Sequence, residues 1–310
     1  MCLLNNIYYL LKPCIPRSVQ LLLRQKLAAL KRSRYDHVWP IDRSAGDPPQ
    51  GWPGWPGGKK FALILSHDVD TERGLKNVRC LAEREIELGF RSTFNFVPER
   101  YSTPESLRTW LVENGFEVAV HGLLHDGKLY SSKEIFRKRA KRINYYLNAW
   151  GSVGFHSPSM HRNLDWIHDL NIEYDQSTFD TDPFEPQPQG LGRIFPLFIK
   201  KDSKQGYIEL PYTLPQDHML FIIMKEKSID IWREKLDWLV DKGGMVLLNT
   251  HPDYMNFEDR DLAREEYPAE RYLEFLEYVK SKYRDQYWHV LPKEIARFWK
   301  KQVTTGTITE

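Results

Sequence analysis

Cysteine is scarce in this chain of 310 residues: only Cys2, Cys14 and Cys80 occur. Three scattered thiols form neither a disulfide framework nor a metal-binding spacing, and they point to a reducing compartment. Long apolar runs are also missing. None approaches the roughly 20 residues that cross a bilayer. The one near the start, Ile7 to Leu11, is short and is broken by Lys12 and Pro13, so it does not read as an export leader. These absences predict a cytoplasmic location. No charge of one sign dominates either, since 44 Lys and Arg stand against 42 Asp and Glu, for a formal net charge of +2. With no nucleic-acid motif present, that balance excludes a nucleic-acid partner as an expectation. Internal repeats are absent as well.

Against these absences, the chain is rich in aromatic residues (13%), and its hydrophobic fraction of 41% is enough for a large core. It falls into zones. Residues 1–36 form a basic, leucine-rich arm in which Val19, Leu22, Leu23, Leu27 and Leu30 recur at helical spacing, with Arg24, Lys31 and Arg32 mostly on the other side. Two readings stand: a helix packed on the main domain, or a helix over 17–34 lying on an anionic membrane surface, which would place the protein at the inner face of the membrane. Residues 37–59 are a linker rich in Pro and Gly that excludes a helix or central strand, with Trp39, Trp52 and Trp55 tacking it to the domain surface.

From residue 60 to 301 strands and helices alternate. The strands are expected at 61–66, 92–97, 116–120, 152–155, 171–176, 207–210, 245–250 and 287–290. The helices are expected at 74–89, 104–114, 132–149, 162–170, 228–242, 268–282 and 292–300. That alternation implies parallel pairing and either a β/α barrel or an open doubly wound sheet. Residues 302–310 read as a disordered tail.

Parallel α/β folds gather functional groups at the C-terminal ends of their strands. Here those ends carry Asp68 and Asp70 in Ser66-His67-Asp68-Val69-Asp70, His121 and His125 in His121-Gly122-Leu123-Leu124-His125, then His156, Asp175 and His251. One carboxylate and two imidazoles suit a divalent ion that keeps open positions for water, and a second carboxylate can act on that water as a base. This predicts a metal-dependent hydrolase. Zinc suits the ligand set, and cobalt or nickel also accept it. Asp217-His218 stands as a further lining candidate. Asp180, Asp182 and Glu185 lie in a Pro-rich loop that either shapes substrate binding or is a solvated excursion.

The order and spacing of these groups resemble the polysaccharide deacetylases, the NodB-homology domain of carbohydrate esterase family 4, over roughly residues 60–300. The resemblance implies an α/β fold of the distorted (β/α)7 barrel type behind an N-terminal helical arm. It implies Asp68 as catalytic base and Asp70, His121 and His125 as metal ligands. His156, in Phe155-His156-Ser157-Pro158, takes the place of the family's base-orienting arginine, with Arg162 as a nearby substitute. Asp175 is implied as the support of the catalytic histidine, and His251, in Leu247-Leu248-Asn249-Thr250-His251-Pro252-Asp253, as general acid. Gly122 stands where the family usually has a hydroxyl residue. The implied reaction removes an N-acetyl group from an acetylated sugar or glycan and releases acetate. Ring-opening amidohydrolases share the scaffold and supply a second reading. A glycan-binding module without turnover supplies a third.

Overall fold

The computed structural model describes residues 16–202, 205–258 and 260–309. Its centre is a curled sheet. Strand β1 (Phe61–Val69) is buried along its whole length and takes neighbours on both edges. Strand β8 (Met245–Thr250) pairs along Ala62–His67 on one side. On the other side β9 (Tyr287–His289) holds the first residues and β2 (Thr93–Phe96) the last four. The path then runs through β3 (Glu117–His121), β4 (Gly154–His156), β5 (Tyr174–Asp175) and β7 (Gly206–Glu209), all parallel, and ends on an antiparallel hairpin partner, β6 (Leu197–Lys200). Beyond β7 the chain turns back to β8, where Thr213 N and Leu214 N donate to Leu247 O. The result is a distorted barrel.

Helices cover the outside: α2 (Glu72–Leu88), α3 (Glu105–Glu113), α4 (Lys133–Ala149), the single turn α5 (Leu164–Ile167), α6 (Asp230–Lys242), α7 (Glu270–Lys282) and α8 (Pro292–Thr304). Helix α2 begins where the Thr71 side chain accepts from Arg73 N and ends at Gly89, left-handed at φ 85°. The expected strands and helices match these spans to within a few residues. Strand β6 and a π-helical turn at His218–Ile223 had no counterpart in the sequence reading.

Strand alternation sorts the polar residues of β1. Ser66 and Asp68 point inward, where Asn95 Nδ2 donates to both. His67 points outward to the helix layer, between Thr250 Oγ1 at 2.7 Å and Glu85 Oε1 at 3.0 Å. His67 and Glu85 are fully buried, and Ser92 and Tyr272 also donate to Glu85, so this inner-to-outer polar pairing is satisfied.

Three expectations change. Helix α1 (Arg17–Arg34) does pack on the domain, but it buries Gln20, Leu21 and Ala28 and turns its leucine stripe outward. The segment expected as a disordered tail is docked instead over its described residues, 302–309: α8 continues to Thr304, Thr309 bridges Gln50, and Ile308 is 2% exposed. Burial of an apolar side chain outweighs the local turn signals that suggested fraying. Truncating it to Ile308→Ala is expected to cost about 2–4 kcal/mol, read as a lower midpoint in urea unfolding; an unchanged midpoint would mean the segment adds no stability. In the Pro-rich loop the acids are withdrawn from solvent, although Pro188, Gln189 and Gly190 are exposed. Asp180 is buried against Lys235 Nζ at 2.8 Å, and Asp182 and Glu185 share the Tyr212 hydroxyl. Burial raises both carboxyls, Asp182 to about 6 and Glu185, with the Asp182 charge adding, to about 8.

Candidate active site

The parallel register brings the strand ends to one mouth. Asp68 pairs in register with Asn95, Ser66 with Asn249, and His121 with His156. Asp68 is 2% exposed and held from three strands. Its Oδ1 accepts from Asn95 Nδ2 at 2.8 Å and stands 2.7 Å from His156 Nδ1, and its Oδ2 accepts from Asn249 Nδ2 at 2.8 Å. Burial alone would raise this carboxyl. The charges of His121 and His156 and the hydrogen bond from His156 overcome that and hold it far below the ordinary range, so it is ionised. Asn95 and Asn249 were not singled out from the sequence. Their signal was an amide inside an otherwise apolar buried strand, in Thr93-Phe94-Asn95-Phe96 and Leu247-Leu248-Asn249.

Asp70, His121 and His125 come together beside it. Asp70 Oδ1 lies 3.3 Å from His121 Nε2 and 3.0 Å from His125 Nε2. His121 Nδ1 sits 3.0 Å from the His156 carbonyl oxygen, which can only accept. Nδ1 therefore carries a proton, and Nε2 is the nitrogen presented to the carboxylate. Asp70 Oδ1 is buried and has no hydrogen-bond partner among the described residues. A buried carboxylate oxygen opposite two imidazole nitrogens is the donor set a divalent cation satisfies once those nitrogens give up their protons. A second grouping, Asp68 with His121 and His156, is also close enough to share an ion. Its Asp68 oxygens are already engaged by Asn95, Asn249 and His156, so the Asp70 set fits better.

Two features shape this corner. Asp253 accepts from Asp70 N at 2.9 Å, and a Cβ on Gly74 would come within 2.0 Å of Asp253 Oδ2. In the His121–His125 loop, Gly122 is left-handed at φ 61°, and a Cβ there would meet Pro158 Cγ at 2.4 Å. That explains why this chain carries glycine where the resembling family has a hydroxyl residue. Gly122→Ser is therefore expected to destabilise by about 1–3 kcal/mol and to weaken metal retention, measured by thermal melting and by metal content after dialysis. A variant as stable and metal-replete as the parent would remove the steric account.

Opposite the ligand set, His251 Nε2 stands 3.8 Å from Asp68 Oδ2. The group behind it is not Asp175 but Asp217. Asp217 Oδ1 is 2.7 Å from His251 Nδ1, and Asp217 Oδ2 accepts from His251 N and from the Tyr267 hydroxyl, both at 2.9 Å. Burial lowers the imidazole, but the Asp217 charge and hydrogen bond raise it more, with Asp70 and Asp68 adding, to about 10. His251 is thus an imidazolium at neutral pH.

Asp175 lies behind His156 instead. Its Oδ1 accepts from the Ser177 hydroxyl at 2.6 Å, and it pairs in register with Glu209 on β7. Asp175 Oδ2 and Glu209 Oε2 are both buried and accept from no donor group among the described residues. Burial raises both carboxyls and their mutual repulsion raises Glu209 further, as for two acids that share one proton. Arg162 does not take the orienting role either. It donates to the Met160, Gln187 and Gln189 carbonyls and covers the Phe179 ring at 4.9 Å. His156 is the group on Asp68.

Fold and site together define a β/α barrel with a carboxylate and imidazole cluster at the mouth of its strands. No family model and no curated protein matches the chain. Solved structures do. A protein from Mycobacterium smegmatis described as a polysaccharide deacetylase superposes with a TM-score of 0.64 at 22% identity, over 83% of this chain and 96% of its own. The Puue allantoinase gives 0.64 at 17% identity, over 85% and 98%. A second described polysaccharide deacetylase, from Pseudomonas aeruginosa PAO1, gives 0.61 at 17%, over 85% and 99%. The chain therefore has the NodB-type fold of the polysaccharide deacetylases, a fold that the allantoinase shares.

Proposed function

We propose that this protein is a metal-dependent hydrolase that removes the N-acetyl group from an acetylated sugar or glycan, and that it belongs functionally with carbohydrate esterase family 4. The observation that carries this reading is the opposition of an ionised Asp68 and a protonated His251 beside Asp70, His121 and His125. A base and an acid in those forms are what amide hydrolysis needs, and a binding module has no use for both. A divalent ion held by Asp70, His121 and His125, zinc or else cobalt or nickel, supplies Lewis-acid activation of water and of the acetyl carbonyl.

The chain's own residues do the rest. Asp68 Oδ2, with one acceptor position left beside His251, takes a proton from the attacking water as its oxygen bonds to the acetyl carbon. His156, Asn95 and Asn249 hold that carboxylate in place. His251 Nε2 gives its proton to the sugar nitrogen as the C–N bond breaks, and Asp217 stabilises the imidazolium until then. Acetate and a free amine leave, and Asp68 returns its proton through solvent while His251 regains one.

The allantoinase superposes as well as the deacetylases do, so ring-opening amide hydrolysis is the second reading. Mass spectrometry of N-acetylated sugar oligomers and of cyclic ureides, incubated with chelator-stripped and with zinc-, cobalt- or nickel-loaded protein, separates the two. Loss of one acetyl mass, only with metal, is expected. Ureide opening without deacetylation, or deacetylation by the stripped protein, overturns the proposal.

A further inference from the structure

Helix α1 is amphipathic the wrong way round for a helix that completes a core. Its polar and small-residue face holds it to the domain. Gln25 Nε2 donates to Ile222 O at 3.1 Å, Lys31 Nζ donates to Pro183 O at 2.8 Å, and Arg17 and Arg32 pair with Glu265 and Glu226. Leu21 and Ala28 fill the seam against the π-helical turn His218–Ile223. The opposite face carries Val19, Leu22, Leu23, Leu27 and Leu30, which are 42, 48, 52, 53 and 75% exposed. These five account for half of the large apolar residues exposed on the described chain. They lie along one stripe, at the i, i+3, i+4, i+8 and i+11 positions from Val19.

We propose that this stripe lies on the surface of an anionic lipid bilayer. Three observations favour lipid over another occupant. First, residues 1–35 contain seven basic residues and no acidic one, and beyond Arg17, Lys31 and Arg32, which hold the helix to the domain, the others keep the sign that anionic headgroups recognise. Second, Lys26 and Arg34 are exposed on the same side as the leucines. A second copy docked through this face would bring both copies' cations into one seam, whereas a leaflet of anionic headgroups offers a partner to each. Third, the sequence just upstream of the helix supplies more of the same chemistry, with Leu3, Leu4, Ile7, Leu10 and Leu11 beside Lys12. No helix among the described residues is long and apolar enough to cross a membrane. The contact is therefore interfacial, with the leucines at the acyl boundary and the cations at the headgroups.

The test is co-sedimentation of the full chain with phosphatidylglycerol–phosphatidylcholine vesicles and with pure phosphatidylcholine vesicles, beside sedimentation velocity of the lipid-free protein. The protein is expected to pellet with the anionic vesicles, and to be released at about 1 M salt, where the screening length falls to about 3 Å. The triple variant Leu23→Ser, Leu27→Ser, Leu30→Ser is expected to bind about tenfold less or weaker still. Those side chains are exposed, so its thermal midpoint should match the parent's, which separates lost binding from lost folding. Failure of the parent to pellet overturns the proposal, whether a second copy or residues 1–15 take the face. So does undiminished binding by the triple variant, equal binding to neutral vesicles, or a lipid-free dimer that the triple variant dissolves.

Discussion

Asp68→Asn is expected to lower acetate release by about a thousandfold while the protein keeps its divalent ion. The two effects separate because the two carboxylates of Ser66-His67-Asp68-Val69-Asp70 have different company. Asp70 faces both imidazoles of the ligand set, with a buried oxygen that has no other hydrogen-bond donor among the described residues. Asp68 is instead surrounded by donors: Asn95, Asn249 and His156. Asparagine has nearly the same shape but cannot take a proton from water at any working pH. It also turns one acceptor into an amide donor that faces existing donors, at a cost of about 1–3 kcal/mol. Folding must therefore be checked by near-ultraviolet circular dichroism before the rate is interpreted. Metal content per chain after dialysis should stay near that of the parent. Turnover within tenfold of the parent would remove Asp68 from the role of base, and loss of the ion together with the rate would place it among the ligands.

The second large effect is expected at a residue that no motif indicated. Asp217→Asn should reduce kcat by about a hundredfold or more, whereas Asp175→Asn should leave it within about threefold, because only Asp217 touches His251. The sign on the pH axis follows from the same contact. His251 must be protonated to act as acid, and its proton is lost as pH rises through about 10. The alkaline limb of the rate profile reports that loss. Removing the Asp217 charge leaves burial, which favours the neutral ring, opposed only by the smaller effects of Asp70 and Asp68, so the limb should move to lower pH in Asp217→Asn and stay put in Asp175→Asn. A lower kcat with an unmoved limb would mean that Asp217 acts only on the local backbone, where it also accepts from His218 N and His251 N. The reverse ranking of the two variants would restore Asp175.

The contrast between these two acids shows where sequence reasoning loses its grip. Asp175 ends a strand that could be recognised by its neighbours, so it looked like a group delivered to the mouth. Asp217 follows Pro215 and Gln216 in a stretch without helical or strand periodicity and starts a π-helical turn. Nothing in its neighbourhood announces that a histidine 34 positions later will lie against it. Asn95 and Asn249 raise the same difficulty more mildly, since their only mark is polarity in a buried strand.

What the amino-acid order determined alone is what depends on neighbours in the chain: the alternation of buried strands and capped helices, the parallel pairing this implies, and the local motifs that put Asp70, His121 and His125 at strand ends. Tertiary structure decided every question of facing. It chose which acid lies behind His251, turned His156 rather than Arg162 onto Asp68, and closed the acidic loop with Lys235. It seated Ile308 and set the polar side of α1 inward so that its leucines point out. Periodicity specifies that a helix or strand has two faces, but the choice between them is made by surfaces distant in sequence, whose shape and charge exist only once the barrel has formed.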